Sequence, residues 1–217
     1  RKICDDVIAK RAEDVGAPLY RLKAHFIDAM PEDLGLLGEH QRANAALAAM
    51  AVQLFGNSTI IDQNAIFEGA RNVVWPARMQ RLKDGPLTAL APNQEIWLDG
   101  GHNPHAARAI ARQLNNMPGR TALVAAMLAS KDATGYFMPF RQVRPEVFTL
   151  PNAPGHQGAE PQALAEAATN AGLKAAAYDS LEAALKAAAT TGVDRILICG
   201  SLYLAGEVLA QNGEPPA

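Results

Sequence analysis

A chain of 217 residues with 49% apolar and 19% charged side chains can bury a sizeable core, and a formal charge of −2 excludes any general electrostatic attraction for nucleic acid. Two distant cysteines, Cys4 and Cys199, point away from a disulfide framework or a zinc site. No run approaches the roughly 18 apolar residues of a membrane span, and the opening Arg1-Lys2-Ile3-Cys4-Asp5-Asp6 is not a signal peptide, so a cytoplasmic protein without membrane or nucleic-acid partners is expected.

In chain order, Ile3, Val7, Ile8, Ala12 and Val15 recur at helical spacing before Gly16, and Pro18 to Leu22 then reads as a short strand. The alanine-rich stretch from Gly38 to Phe55, with Leu47, Met50 and Leu54, predicts one long helix ended by Gly56; Asp62 to Ala70 predicts a shorter one. His40, Gln41 and Asn44 open the long helix, with His40 and Asn44 one above the other on a face. Trp75-Pro76-Ala77-Arg78 and the Gly85-Pro86 and Ala91-Pro92 breaks have the turn and hairpin character of a domain junction, which divides the chain near Val74 into 1–74 and 75–217.

After the junction the pattern alternates. Strands are expected at 95–98, 121–127, 146–150, 174–178 and 194–199, and helices at 104–115, 132–141, 161–171, 180–190 and 202–211. Repeated βαβ units imply an α/β fold, Rossmann-like, with a mostly parallel sheet and helices on both faces. No G-x-G-x-x-G follows a strand, which counts against a nucleotide-cofactor oxidoreductase.

The densest chemistry lies in Leu98-Asp99-Gly100-Gly101-His102-Asn103-Pro104. Asp99 closes a strand, Gly100 and Gly101 permit a sharp turn with positive φ, Asn103 suits an N-cap and Pro104 the first helical position. Two other strand ends carry polar groups, Ser130-Lys131-Asp132 and Gly200-Ser201 with Tyr203, and a parallel sheet places all such ends on one edge, where ligands bind. Taken singly, Ser201 reads as a helix N-cap, Lys131 as a solvated cation beside a capping Asp132, and Arg78 as a surface cation or domain strut. His102 and His105 lack a third spaced metal ligand, His25 and His156 look like loop histidines, and no G-x-S-x-G nucleophile elbow occurs.

In order, Gly38-Glu39-His40-Gln41-Arg42-Ala43-Asn44-Ala45-Ala46, Trp75-Pro76-Ala77-Arg78-Met79-Gln80, Leu98 to Ala107, Ser130-Lys131-Asp132 and Gly200-Ser201-Leu202-Tyr203-Leu204-Ala205-Gly206-Glu207 resemble the C-terminal half of folylpolyglutamate synthase/dihydrofolate synthase, in the Mur ligase superfamily. Two positions depart from that pattern: Ala77 stands where the family usually has Gly, and Gly101 where it usually has Ala.

The resemblance implies ATP-dependent addition of L-glutamate to a pteroate or folate carboxylate through an acyl phosphate. It implies that Asn44, Arg78 and Asp99 serve ATP, that His102 and Ser201 line the glutamate site, and that His102, Arg78 and Lys131 take part in catalysis. The family's phosphate loop, G-x-x-x-x-G-K-[ST], does not occur in these residues. The expectation is therefore a C-terminal piece of a protein roughly twice as long. In it, 1–74 is the remnant of a P-loop ATPase domain and 75–217 the glutamate-ligase domain; ATP and Mg2+ are held largely by the missing N-terminal half. The parent is expected to be monomeric and this piece alone inactive. The competing expectation is a non-catalytic nucleotide- or amino-acid-binding module with a helical partner-interaction segment.

Overall fold

The computed structural model describes residues 2–55 and 61–215, so Gly56, read above as the end of the long helix, lies outside the described residues. The chain forms two compact units, Arg1–Leu34 with Gln41–Asn72, and Gly35–His40 with Val73–Ala217.

The first unit is helical: α1 (Lys2–Asp14), α2 (Ala24–Asp28), most of α3 (Glu39–Phe55) and α4 (Gln63–Asn72). Asp62 caps α4 by accepting from the Ala65 amide at 2.7 Å. Arg42 ties α3 to the chain after α2, donating to the carbonyls of Asp28 at 3.2 Å and Met30 at 2.9 Å. Pro18 to Leu22, expected as a strand, is irregular. A strand needs a neighbour for its backbone ladder, and among the described residues this unit holds no other strand.

The second unit is an α/β layer structure. Its sheet runs β1 (Gln80–Arg81), β2 (Glu95–Asp99), β6 (Arg195–Cys199), β3 (Thr121–Ala125), β4 (Glu146–Thr149), β5 (Ala175–Ala177). All neighbours are parallel except β1, which returns as an antiparallel hairpin arm on β2. The five expected strands are present, and β1, only two residues long, adds the junction hairpin.

Strand alternation feeds two cores. Ile96, Leu98, Ala122, Val124, Ile196 and Ile198 face α8 (Leu181–Ala189) and α9 (Leu202–Gln211). Leu123, Ala125, Val147, Leu197 and Cys199 face α5 (Pro104–Asn116), α6 (Ala133–Phe137) and α7 (Pro161–Asn170). Each fully buried Leu or Ile here contributes about 1.5–3 kcal/mol. The helix expected over 132–141 is α6 followed by a tighter 3-10 turn, Met138–Arg141, because Pro139 has no amide to continue the α-helical ladder.

Candidate functional site

The site grows from the paired ends of β2 and β6, where Asp99 lies beside Cys199 in parallel register. Asp99 is 6% exposed, and both carboxylate oxygens are engaged: Oδ1 accepts the Gly101 amide at 2.7 Å, Oδ2 the Met79 amide at 2.9 Å. Burial raises its pKa, and those two amides and the charges of Arg78 and His40 oppose the rise.

Gly100 and Gly101 are needed here for closeness, not for handedness. Neither has positive φ, contrary to the expectation for this turn. A Cβ on Gly100 would collide with the Leu202 side chain, and one on Gly101 would lie 2.8 Å from Ile110 Cδ1 and 2.9 Å from Ala106 Cβ. The Gly100 amide donates to Ala77 O at 2.8 Å, and the Gly200 amide to Gly101 O at 3.1 Å, which knits the loops after β2 and β6 together.

Asn103 caps α5 as expected, accepting from His105 N at 3.1 Å and Ala106 N at 2.9 Å. With Pro104 at the first position and the Ala107 amide on Asn103 O, the first turn of α5 has no amide left for an anion; only the helix dipole remains there.

His102 is half-buried, and its Nδ1 donates to Gly100 O at 3.0 Å. A carbonyl only accepts, so Nδ1 carries a hydrogen, and in the neutral imidazole Nε2 is then the nitrogen with the lone pair. The loop after β6 offers complementary donors. Gly200 has φ +97°, and a side chain there would strike Ala126 O. Ser201, 3% exposed, caps α9 through Oγ, which accepts from Tyr203 N at 3.2 Å and Leu204 N at 3.3 Å. The Ser201 and Leu202 amides have no protein acceptor among the described residues. Two free amides at a glycine turn and a helix N-terminus form a cradle for a carboxylate or phosphate.

Arg78 is exposed and stands between Ala77 and Met79, both in left-handed backbone, with φ of 56° and 44°. Ala77 therefore occupies a conformation that a glycine adopts without strain. Lys131 is half-buried, beyond the end of β3; because β6 intervenes, the ends of β2 and β3 lie about 9.5 Å apart. Lys131 forms no side-chain hydrogen bond or ion pair among the described residues, while Asp132 caps α6 by accepting from Gly135 N at 2.8 Å. Asn44 belongs to the first unit, is exposed, and donates to Gln41 Oε1 at 2.9 Å.

Two residues join this edge beyond those singled out for the site. His40 packs over Gly38, and burial lowers its pKa, with Asp99 acting against that and Arg78 and His105 with it. Its place at the start of a helix beside Gln41 and Asn44 was the available signal. His156 stacks on Tyr203 with ring centroids 3.4 Å apart and planes 20° apart, a pairing across 47 residues that no local pattern announces. Among the described residues no group of three His, Cys, Asp or Glu side chains could hold a metal ion.

The glutamate ligase domain of Mur ligases matches residues 77–202, more than half of the chain, and the chain belongs to that family. Its relatives include the folylpolyglutamate synthase of Lacticaseibacillus casei, 31% identical over 81% of this chain and 39% of the relative. The dihydrofolate synthase/folylpolyglutamate synthase of Escherichia coli is 29% identical over 76% of this chain and 37% of its own length. A crystal structure of Mycobacterium tuberculosis folylpolyglutamate synthase complexed with ADP and AMPPCP superposes with a TM-score of 0.73 at 26% identity, over 85% of this chain and 42% of that one. The chain thus spans about two fifths of the length of these relatives.

Proposed function

We propose that this chain is the glutamate-ligating part of an ATP-dependent ligase that adds L-glutamate to dihydropteroate or folates, with residues 1–74 the tail of its ATP-binding domain. One observation carries the reading: within a glutamate ligase domain, the joined loops after β2 and β6 set the bare Nε2 of His102 and the free amides of Ser201 and Leu202 on one sheet edge. That edge offers a base and an anion cradle, the two features that an amino acid nucleophile requires.

In the reaction, a substrate carboxylate oxygen attacks the terminal phosphorus of ATP and ADP leaves. The amine of glutamate then attacks the acyl carbon, the C–O bond to phosphate breaks, and the amine's proton passes to a base. We assign that proton to His102 Nε2, and the glutamate α-carboxylate to the Ser201–Leu202 amides with the Ser201 hydroxyl. Arg78 neutralises phosphoryl oxygens, a charge-stabilising role suited to an exposed guanidinium, and Lys131 is a second cation for the same oxygens. Asn44 reaches the adenine end of ATP. Asp99 seats the nucleotide indirectly, by fixing the Met79 and Gly101 amides on either side of the site. The ligands of magnesium are assigned to the phosphate-loop domain. The likeness to a synthase complexed with ADP supports the nucleotide assignment.

The test is to express the chain together with the coding region upstream of Arg1 and to measure ATP-dependent incorporation of labelled glutamate into a folate. Amide formation by the longer protein and none by this chain alone is the expected outcome, with His102→Ala raising KM for glutamate and Arg78→Ala raising KM for ATP, each about tenfold or more. A longer protein without a phosphate loop, or one that binds ATP and forms no amide, would replace the ligase with the binding-module reading.

A further inference from the structure

At the edge of the sheet opposite the candidate site, the starts of β3 and β4 and the residues just before β5 and β6 border a crevice of about 370 Å3, lined among others by Arg120, Thr121, Arg144, Glu146, Leu173 and Lys174. Its volume falls within the range of small-ligand pockets. Lys174 and Glu146 cancel as an ion pair at 2.7 Å. What remains is strongly positive. Arg120 and Arg144 line the crevice, Arg141 lies against Gly172 on the same wall, and Arg195 stands behind Thr121. Set against these four arginines is one further carboxylate, Asp194, which accepts the Arg120 backbone amide at 2.7 Å and forms no ion pair with any of them among the described residues; the count leaves an excess of three positive charges on a chain of formal charge −2.

Arg195 is the informative member. It is 4% exposed and forms no ion pair among the described residues; it donates to Thr121 Oγ1 at 3.1 Å and to Pro118 O at 2.8 Å, and its Nε has no partner. Buried guanidinium groups are ordinarily matched by a carboxylate. Thr121, 5% exposed, accepts from Arg195, and its own hydroxyl hydrogen has no acceptor among the described residues. It lines the crevice as a donor backed by a cation. Arg144 on the rim holds φ at 51°, a conformation that costs a non-glycine residue about 1 kcal/mol.

We propose that this crevice binds a small ligand carrying several clustered oxyanions, a polyphosphate or an oligocarboxylate, at a site separate from the ligase edge. Thr121 and Arg144 hold it, and Arg120 and Arg195 supply the field.

Calorimetric titration of this chain with sodium tripolyphosphate and, separately, with a triglutamate peptide tests the site, at a fixed ionic strength of about 150 mM so that diffuse attraction is screened. The expected result is saturable one-to-one binding of at least one of them, and the stronger of the two identifies the source as phosphate or carboxylate. Arg144→Gly, which removes the charge and relaxes the backbone, and Arg120→Gln should each weaken it about tenfold. Thr121→Val should weaken it and Thr121→Ser restore it, while Arg78→Ala leaves it unchanged. Melting curves without anion confirm that each variant folds. Overturning results are no saturable binding of either anion, binding lost in Arg78→Ala but kept in Arg144→Gly, or variants that shift melting alone because the arginines merely complement helix ends.

Discussion

The Met79 amide and the Asp99 carboxylate, 20 residues apart, are joined by a buried hydrogen bond of 2.9 Å. It fastens a residue in left-handed backbone to the end of β2, and with the Gly101 bond it holds both sides of the site. Asp99→Asn turns one acceptor into an amide donor that faces an N–H group, and Asp99→Ala orphans two buried amides. Each should cost about 1–3 kcal/mol. Urea unfolding of the two variants checks this; an unchanged midpoint for both would show that the turn stands without the carboxylate.

Stability should depend on pH through His40. Burial lowers its pKa in the folded chain below the ordinary 6.5, so the unfolded chain binds the proton more readily. The contribution is present above 6.5 and is lost as pH falls through the lowered value. Thermal melts between pH 7.5 and about 5 should show this decline, and His40→Gln should flatten that part of the curve.

The glycines after β2 admit no methyl group without movement. Gly101→Ala crowds Ile110 Cδ1, the Ala106 Cβ on α5 and Asp99 Oδ1 together, since a Cβ would approach all three to within 2.9 Å. A loss of about 1–3 kcal/mol is expected for it, with a similar or larger loss for Gly100→Ala against Leu202. Differential scanning calorimetry of the two variants measures the losses.

The two thiols should differ sharply. Cys199 is 1% exposed, and burial pushes its thiol pKa up to about 12, so at pH 8 only about one molecule in ten thousand carries the thiolate. Cys4 is exposed. A chromogenic disulfide reagent should titrate one thiol per native chain and two in denaturant; two fast native thiols would contradict the burial.

Much of the second unit was legible because its elements bury whole faces. Leu197 and Ile198 point into opposite cores, and runs of that kind mark a two-sided strand wherever they occur. Asn103 and Ser201 were legible as caps because capping is local chemistry. Pro18 to Leu22 misled because strand propensity says nothing of whether a partner exists. Gly100 misled because a glycine can be demanded by handedness or by a neighbour, and Leu202, more than 100 residues away in sequence, is that neighbour. The His156–Tyr203 stack and the Arg195–Thr121 bond have the same character. Both are tertiary pairings whose members look ordinary alone.

Among the described residues the strand latest in sequence, β6, occupies the middle of the sheet, between β2 and β3. During synthesis, therefore, β2 and β3 emerge as separated strands, each with an unpaired edge, until residue 199 has left the ribosome. Sheet closure and assembly of the Asp99–Ser201 edge are then one late, long-range event. A chain stopped before β6 holds the Met79–Asp99–Gly101 side of that edge without its Gly200–Ser201 side, and it has two open strand edges that a chaperone or protease can recognise.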